Sequence, residues 1–157
     1  RPGETEHLDL IAGKALFDDF FRDGAEDLPP AAGAADALAD LSTRAEVVIL
    51  TNAPEHGRLS RIRWLKTHGF DYPLIINSGP KGPAAADLAA RTSGPAVFID
   101  DLLPQLESVA ERAPTVGRFQ MVSDERLRPL APSAPDRHVR IDEWPLLKAA
   151  IEERLFT

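Results

Sequence analysis

Glu46-Val47-Val48-Ile49-Leu50 is a continuous β-branched and aliphatic run that stops at Thr51-Asn52-Ala53-Pro54. A run of this kind suits a strand buried on both faces, as in a parallel sheet covered by helices. Just before it, Ala34 to Thr43 is rich in helix formers and places Leu38 and Leu41 on one side. Just after it, Leu59 to His68 reads as a helix closed by Gly69, and Pro73-Leu74-Ile75-Ile76 as a short second strand. The alternation continues. Pro83 to Arg91 is a helix, Ala96-Val97-Phe98-Ile99 a third strand, and Pro104 opens a helix running to Arg112. Thr115 to Val122 is a fourth strand, and segment 124–137, with its prolines and alternating charges, an irregular surface connection. His138-Val139-Arg140-Ile141 forms a last edge strand before the helix Glu143 to Phe156. Strands alternating with short helices predict an α/β fold with one mainly parallel, Rossmann-like sheet in a three-layer α/β/α sandwich. Upstream, Leu8 to Arg22 has helical spacing of Leu8, Ile11, Ala12, Ala15, Leu16 and Phe20, ending near Asp23-Gly24.

In such sheets ligands bind at the carboxyl ends of the strands, so the residues that follow each strand are the place to look for chemistry. After the first strand, Thr51 and Asn52 offer a hydroxyl and successive backbone N–H groups that can hold phosphate oxygens. The plainer alternative is a turn that caps the next helix. After the second, Asn77-Ser78-Gly79-Pro80-Lys81-Gly82 sets a lysine between glycines, where an ammonium can neutralise a phosphoryl group and a nearby carboxylate; a solvated loop lysine is the alternative. After the third, Asp100-Asp101 brings two hard oxygen donors together, which suits Mg²⁺; a helix cap with a solvated neighbour is the alternative. The three signals fall in order at three successive strand ends.

Composition narrows the classes of partner. With 157 residues the chain is long enough for one substantial core, and a net charge of −7 gives no general attraction to nucleic acid or to anionic membranes. An anionic substrate must therefore be captured locally. The absence of cysteine excludes disulfides and thiolate metal sites. No apolar run approaches the roughly 20 residues that span a bilayer, and Arg1-Pro2-Gly3-Glu4 does not begin a signal peptide, so a cytoplasmic protein is expected. The polar, turn-like opening without methionine is what an internal stretch of a longer polypeptide would show.

These residues resemble the haloacid dehalogenase-like hydrolase superfamily. Val47-Val48-Ile49-Leu50-Thr51-Asn52 looks like its second motif, Lys81-Gly82 its third and Val97-Phe98-Ile99-Asp100-Asp101 its acidic fourth, with similar spacings of about thirty and about twenty residues. The specific resemblance runs from Pro29 to Arg112. It implies an α/β core over residues 29–157, residues 1–28 resembling the end of a cap, and Mg²⁺-dependent phosphoryl transfer through an aspartyl-phosphate on a small phosphorylated metabolite. Carried over by position, Thr51 and Asn52 bind phosphate oxygens, Lys81 stabilises the charged intermediate, and Asp101 ligates Mg²⁺ with Asp100 assisting. Thr51 and Lys81 are then the catalytic pair in this chain. Gln105 stands where such members often carry an asparagine.

The first motif of that superfamily, an apolar strand ending in Asp-x-Asp that supplies the nucleophile, is not found. Leu8-Asp9-Leu10-Ile11 has its acid in the wrong place, and Phe17-Asp18-Asp19-Phe20 lies within a helical pattern. The missing strand would be the central one, so its absence predicts a gap between the strands of Thr51 and Asp101, with unpaired backbone on both sides. A non-catalytic binding or regulatory protein that keeps the fold is the competing expectation. Among other residues, His7, His56, His68 and His138 read as solvated positions, with His56 alone near the site. Trp64 reads as a packing residue, and Arg58, Arg61 and Arg63 as a solvated helix face or an attractor of anions. Receiver domains also use an acid pair, a threonine and a lysine, but there the acids come first.

Overall fold

The computed structural model describes residues 9–21 and 27–157; Leu8, His7 and the expected helix end at Asp23-Gly24 lie outside them. In chain order the elements are α1 (Leu10–Asp19), α2 (Ala34–Leu41), β1 (Ile49–Thr51), α3 (Arg58–Thr67), β2 (Leu74–Ile76), α4 (Gly82–Ala89), β3 (Val97–Asp100), α5 (Leu103–Arg112), β4 (Gly117–Gln120), β5 (Val139–Arg140) and α6 (Trp144–Phe156). The chain is an α/β protein in which all strand pairing among the described residues is parallel. Segment 124–137 holds turns only, as expected. No described helix is long and apolar enough to cross a membrane.

Local chemistry sets several of these boundaries. Prolines in the first turns of α4, α5 and α6 remove N–H groups that a helix start leaves unpaired in any case. α3 stops because Gly69 takes φ 84°, which lets Phe70 N–H reach the Leu65 carbonyl at 2.8 Å and Gly69 N–H reach Lys66 at 3.2 Å. Phe70 then stacks on Trp64, with ring centroids 6.0 Å apart, and closes the helix end with an apolar contact. β1 begins at Ile49 rather than Glu46. Its partner is only three residues long, preceded by Pro73, and the first bond of the ladder is Ile49 N–H to the Pro73 carbonyl.

One continuous sheet was expected, and the ladders instead form two. β1 pairs β2 in register Ile49 with Leu74, Leu50 with Ile75 and Thr51 with Ile76. β3 pairs β4, Val97 with Gly117 through Asp100 with Gln120, and β4 pairs β5. Among the described residues no ladder joins β1 to β3. Side chains hold the halves together. Leu41, Leu65, Phe70, Phe119, Leu147 and Ile151 form one core on which Ile49 and Leu74 from the first sheet and Val97 and Ile99 from the second all pack. A smaller cluster of Ala85, Val109, Ala113 and Val116 takes Ala96 and Phe98. Successive strand residues point to opposite faces, so β3 serves both clusters.

α1 buries none of its side chains although Asp9 caps it properly, accepting from the N–H groups of Ile11 and Ala12. Trp64 does pack, and its Nε1 donates to the Leu28 carbonyl at 2.9 Å. Trp64→Phe should keep the stacking, lose that bond and cost about 1 kcal/mol, the usual net value of one such bond. Urea unfolding checks this; a loss above about 3 kcal/mol would mean that the indole carries packing beyond this contact.

His138 departs from the solvated position read from sequence, because it is buried at the start of β5. Arg118 Nε, which can only donate, gives its proton to His138 Nδ1 at 3.3 Å, so the imidazole proton sits on Nε2, which faces Glu107 Oε1 at 3.1 Å.

Candidate functional site

The ends of β1, β2 and β3 are drawn together by side-chain bonds. Asn52, just past β1, donates from Nδ2 to the Gly79 carbonyl at 2.8 Å and accepts from Asn77 Nδ2 at 2.9 Å. Asn77 also reaches the Gly79 carbonyl at 3.1 Å. The loop after β2 is thus tied to the end of β1, and Gly79 at φ 79° gives the turn a conformation that a side chain would strain. Thr51 Oγ1 accepts from Ala53 N–H at 3.1 Å, which leaves its own O–H proton free to donate.

That loop delivers Lys81 to β3. Lys81 Nζ donates to Asp100 Oδ2 at 2.7 Å, and both side chains are largely buried. Asp100 Oδ1 accepts Leu102 N–H at 2.9 Å, so both carboxylate oxygens are engaged. The lysine backbone is fixed from α5: Lys81 N–H donates to Gln105 Oε1 at 2.8 Å, and Gly82 N–H donates to Ser108 Oγ at 3.0 Å. Gln105 therefore acts on the lysine loop. A Cβ at Gly82 would lie 2.2 Å from the Ser108 carbonyl oxygen, so only glycine permits the approach that places Lys81.

Asp101 follows just past the end of β3, close enough for its carboxyl to interact with that of Asp100. It keeps surface in solvent, within an open hollow that Asp100, Met121, Val122, Ser123 and Asp124 also line. Burial of its carboxyl, and then the negative charge of Asp100, raise it above the ordinary aspartate range. Asp124 across the hollow is spoken for by Arg126, which holds it down at about 2. Gln120, fully buried in β4, donates to the Asp101 carbonyl at 3.0 Å and to the Pro132 carbonyl at 2.8 Å, fixing the acid's backbone against the irregular segment. Among the described residues no cluster of three or more His, Cys, Asp or Glu side chains could hold a metal by itself.

A raised acid has a definite signature in stability. The folded chain favours protonated Asp101, so this group's contribution is full below the ordinary aspartate pKa and is lost as pH rises through the raised one. Asp101→Asn should retain that contribution at neutral pH and melt higher than the parent without divalent ions. Thermal scans between about pH 3.5 and 7 test it; identical pH profiles for both proteins would contradict the assignment.

Of the residues read from sequence, Asn52, Lys81 and Asp100 are held by hydrogen bonds at neighbouring strand ends, and Thr51 and Asp101 adjoin Asn52 and Asp100 in the chain. His56 is exposed in the short turn Glu55–Gly57, and no bond links it to that arrangement. Arg58 is held by Glu55, with Nη2 to Oε2 at 2.9 Å, and Arg61 lies over the Trp64 ring at 4.6 Å. Arg58 is thus engaged by a carboxylate, whereas Arg61 has a buried Nε with no hydrogen-bond partner. Asn77, Ser108 and Gln120 were not singled out from sequence; a polar residue in a loop, mid-helix or mid-strand gives no local sign that it will meet a backbone group far along the chain. No family model, no curated protein and no solved structure matches this chain.

Proposed function

We propose that this chain carries the lysine, metal and phosphate positions of a Mg²⁺-dependent phosphohydrolase of the haloacid dehalogenase-like type, in a three-layer α/β/α core, acting on a small phosphorylated metabolite. The observation that supports this most is the buried Lys81–Asp100 pair at 2.7 Å, tied through Asn77 and Asn52 to the end of β1. Phosphoryl transfer asks mainly for positioned charge and positioned donors, and these are what the strand ends supply.

The roles follow from which atoms remain available. Lys81 Nζ has two protons beyond the one given to Asp100, and these can meet a phosphoryl oxygen. Thr51 adds its O–H. Asn52 acts chiefly by holding the loop, since its amide is committed to Gly79 and Asn77. The donor set fits Mg²⁺, which takes one or two carboxylates and fills its remaining positions with water and phosphate oxygens: Asp101 is the more exposed acid, and Asp100 is bonded to Lys81. Bound there, Mg²⁺ would neutralise charge on the phosphoryl oxygens.

Titration of orthophosphate into this chain with Mg²⁺ present tests the reading without needing a nucleophile. Saturable binding is expected, weakened roughly 10- to 150-fold in Lys81→Met, because one charge-assisted bond contributes about 1.5–3 kcal/mol. Asp101→Asn should weaken it only when Mg²⁺ is present. Phosphate binding that is absent, or indifferent to both changes, would sink the proposal. The lack of an Asp-x-Asp strand in the 157 residues favours a second reading, a non-catalytic binding protein. Phosphomonoester hydrolysis by this very chain, abolished in Asp101→Asn, would eliminate it.

A further inference from the structure

Arg61 carries a positive charge where solvent is scarce and no counter-charge offsets it. It belongs to the first half of α3, and the spacing of Gly57, Arg61 and Trp64 sets the three on one face of that helix. The Arg61 Cζ lies 4.6 Å from the centre of the Trp64 ring, and its Nε is buried without a hydrogen-bond partner. Burial pulls the guanidinium below the ordinary arginine range, and among the described residues no carboxylate pulls it back. Arg58, three residues earlier, shows the contrast, because Glu55 neutralises it. The Arg61 side chain as a whole is only half-buried, which leaves the Nη side of its fork open to a ligand. Unpaired buried polar groups are uncommon in folded chains, and a desolvated cation without its counter-charge is a cost that an incoming anion removes.

The surroundings of that cation are aromatic and fixed. Trp64 is held by its Nε1 bond to the Leu28 carbonyl at 2.9 Å, by Phe70 at 6.0 Å between ring centres and by His68 at 4.5 Å. Phe21 packs over Gly57, one turn before Arg61, with its Cβ 3.7 Å from where a glycine Cβ would stand. We propose that Arg61 and Trp64, with Phe21 beside them, form a binding site for a small molecule that carries a carboxylate on an apolar body. A carboxylate matches the guanidinium in shape and in charge. Its two oxygens meet two N–H groups in one plane, and its single negative charge offsets a single positive one, whereas a phosphate dianion leaves one charge over. The rings of Phe21 and Trp64 favour an apolar body, since covering them removes apolar surface from water. No strand-end residue takes part, so the site does not depend on the phosphohydrolase reading.

Benzoate titrated into the full 157-residue chain without Mg²⁺ tests this, followed by the NMR signal of the Arg61 Nε–H, which is identified by its loss in Arg61→Lys. A saturable shift is expected, together with a rise in melting temperature, because a ligand that binds the folded chain stabilises it. Acetate, with the carboxylate and no apolar body, should bind more weakly, and so should orthophosphate. Arg61→Lys keeps the charge and loses the fork, so benzoate affinity should fall at least about tenfold. In Arg61→Met the melting temperature should no longer respond to benzoate. Four results would overturn the site: no saturable shift with benzoate; a shift that sodium chloride of equal ionic strength reproduces, which means screening alone; undiminished affinity in Arg61→Lys, which means that the fork does not bind; or orthophosphate binding at Arg61 more tightly than benzoate, which means that the group recognised is a phosphate. Orthophosphate at the strand ends is read from the Lys81 backbone signal in the presence of Mg²⁺, so either site can fail while the other stands.

Discussion

Asp100→Ala is expected to cost this chain about 3–5 kcal/mol, because it leaves the Lys81 ammonium largely buried without its hydrogen-bonded counter-charge. For a domain of this size that corresponds to a fall in Tm of roughly 6–20 °C. Truncation also removes the acceptor of Leu102 N–H at the start of α5, so the helix that holds Lys81 in place loses its entry contact. The companion experiment is the double change Lys81→Met with Asp100→Leu. Replacing a buried ion pair by apolar groups of similar volume is often neutral or stabilising, so the double variant should recover most of the loss while binding no phosphate. A double variant as unstable as Asp100→Ala would show that the pair holds the fold through geometry rather than through mutual neutralisation.

Gly82→Ala should be the next most damaging single change, and its effect should reach the lysine. The added methyl group would meet the Ser108 carbonyl oxygen at 2.2 Å and its Oγ at 2.5 Å, and since the first of these belongs to helix backbone, a side-chain rotation cannot relieve it. Either α4 or α5 must shift. Overpacking in a filled interior typically costs about 1–3 kcal/mol, and backbone against backbone belongs at the upper end. The bonds from Lys81 N–H to Gln105 and from Gly82 N–H to Ser108 share that contact, so phosphate binding should weaken along with stability. Chemical denaturation and orthophosphate titration on the same variant check both; a variant of parental stability would mean that α4 slides without cost.

Much of the architecture was legible because short-range chemistry sets it. The β-branched run at Val47 to Leu50, the apolar run before Asp100, Gly69 after α3 and Pro104 at the start of α5 each act through their neighbours, and each produced the element expected. What the sequence could not show is how far β1 extends, since that depends on the three-residue length of β2 and on Pro73. The acid pair was legible as a pair and not as a division of labour. Asp100 is buried and bonds Lys81 while Asp101 stays exposed beside it, and which of the two meets the lysine is set by where the loop after β2 crosses. Gln105, flagged for its position, proved to hold the Lys81 backbone through an oxygen 24 residues away, a contact that no local pattern encodes. α1 shows the opposite case: its helical spacing and its Asp9 cap were readable, yet spacing alone does not say whether an apolar side finds a partner, and Leu10 and Ile11 remain 92% and 84% exposed.

The two-sheet division also bears on how the chain reaches its native state. Parallel pairing is ordinarily slow to form, because strands far apart in sequence must meet before any ladder energy is gained. Here every ladder links a strand to the next one along the chain, Ile49 to Leu74, Val97 to Gly117 and Phe119 to Val139, each across a single intervening connection. No backbone pairing waits for residues before Asn77 to find residues after Pro95. The first strand–helix–strand unit and the later three-strand unit can therefore each nucleate locally and dock through α2, α6 and the side chains of their common core.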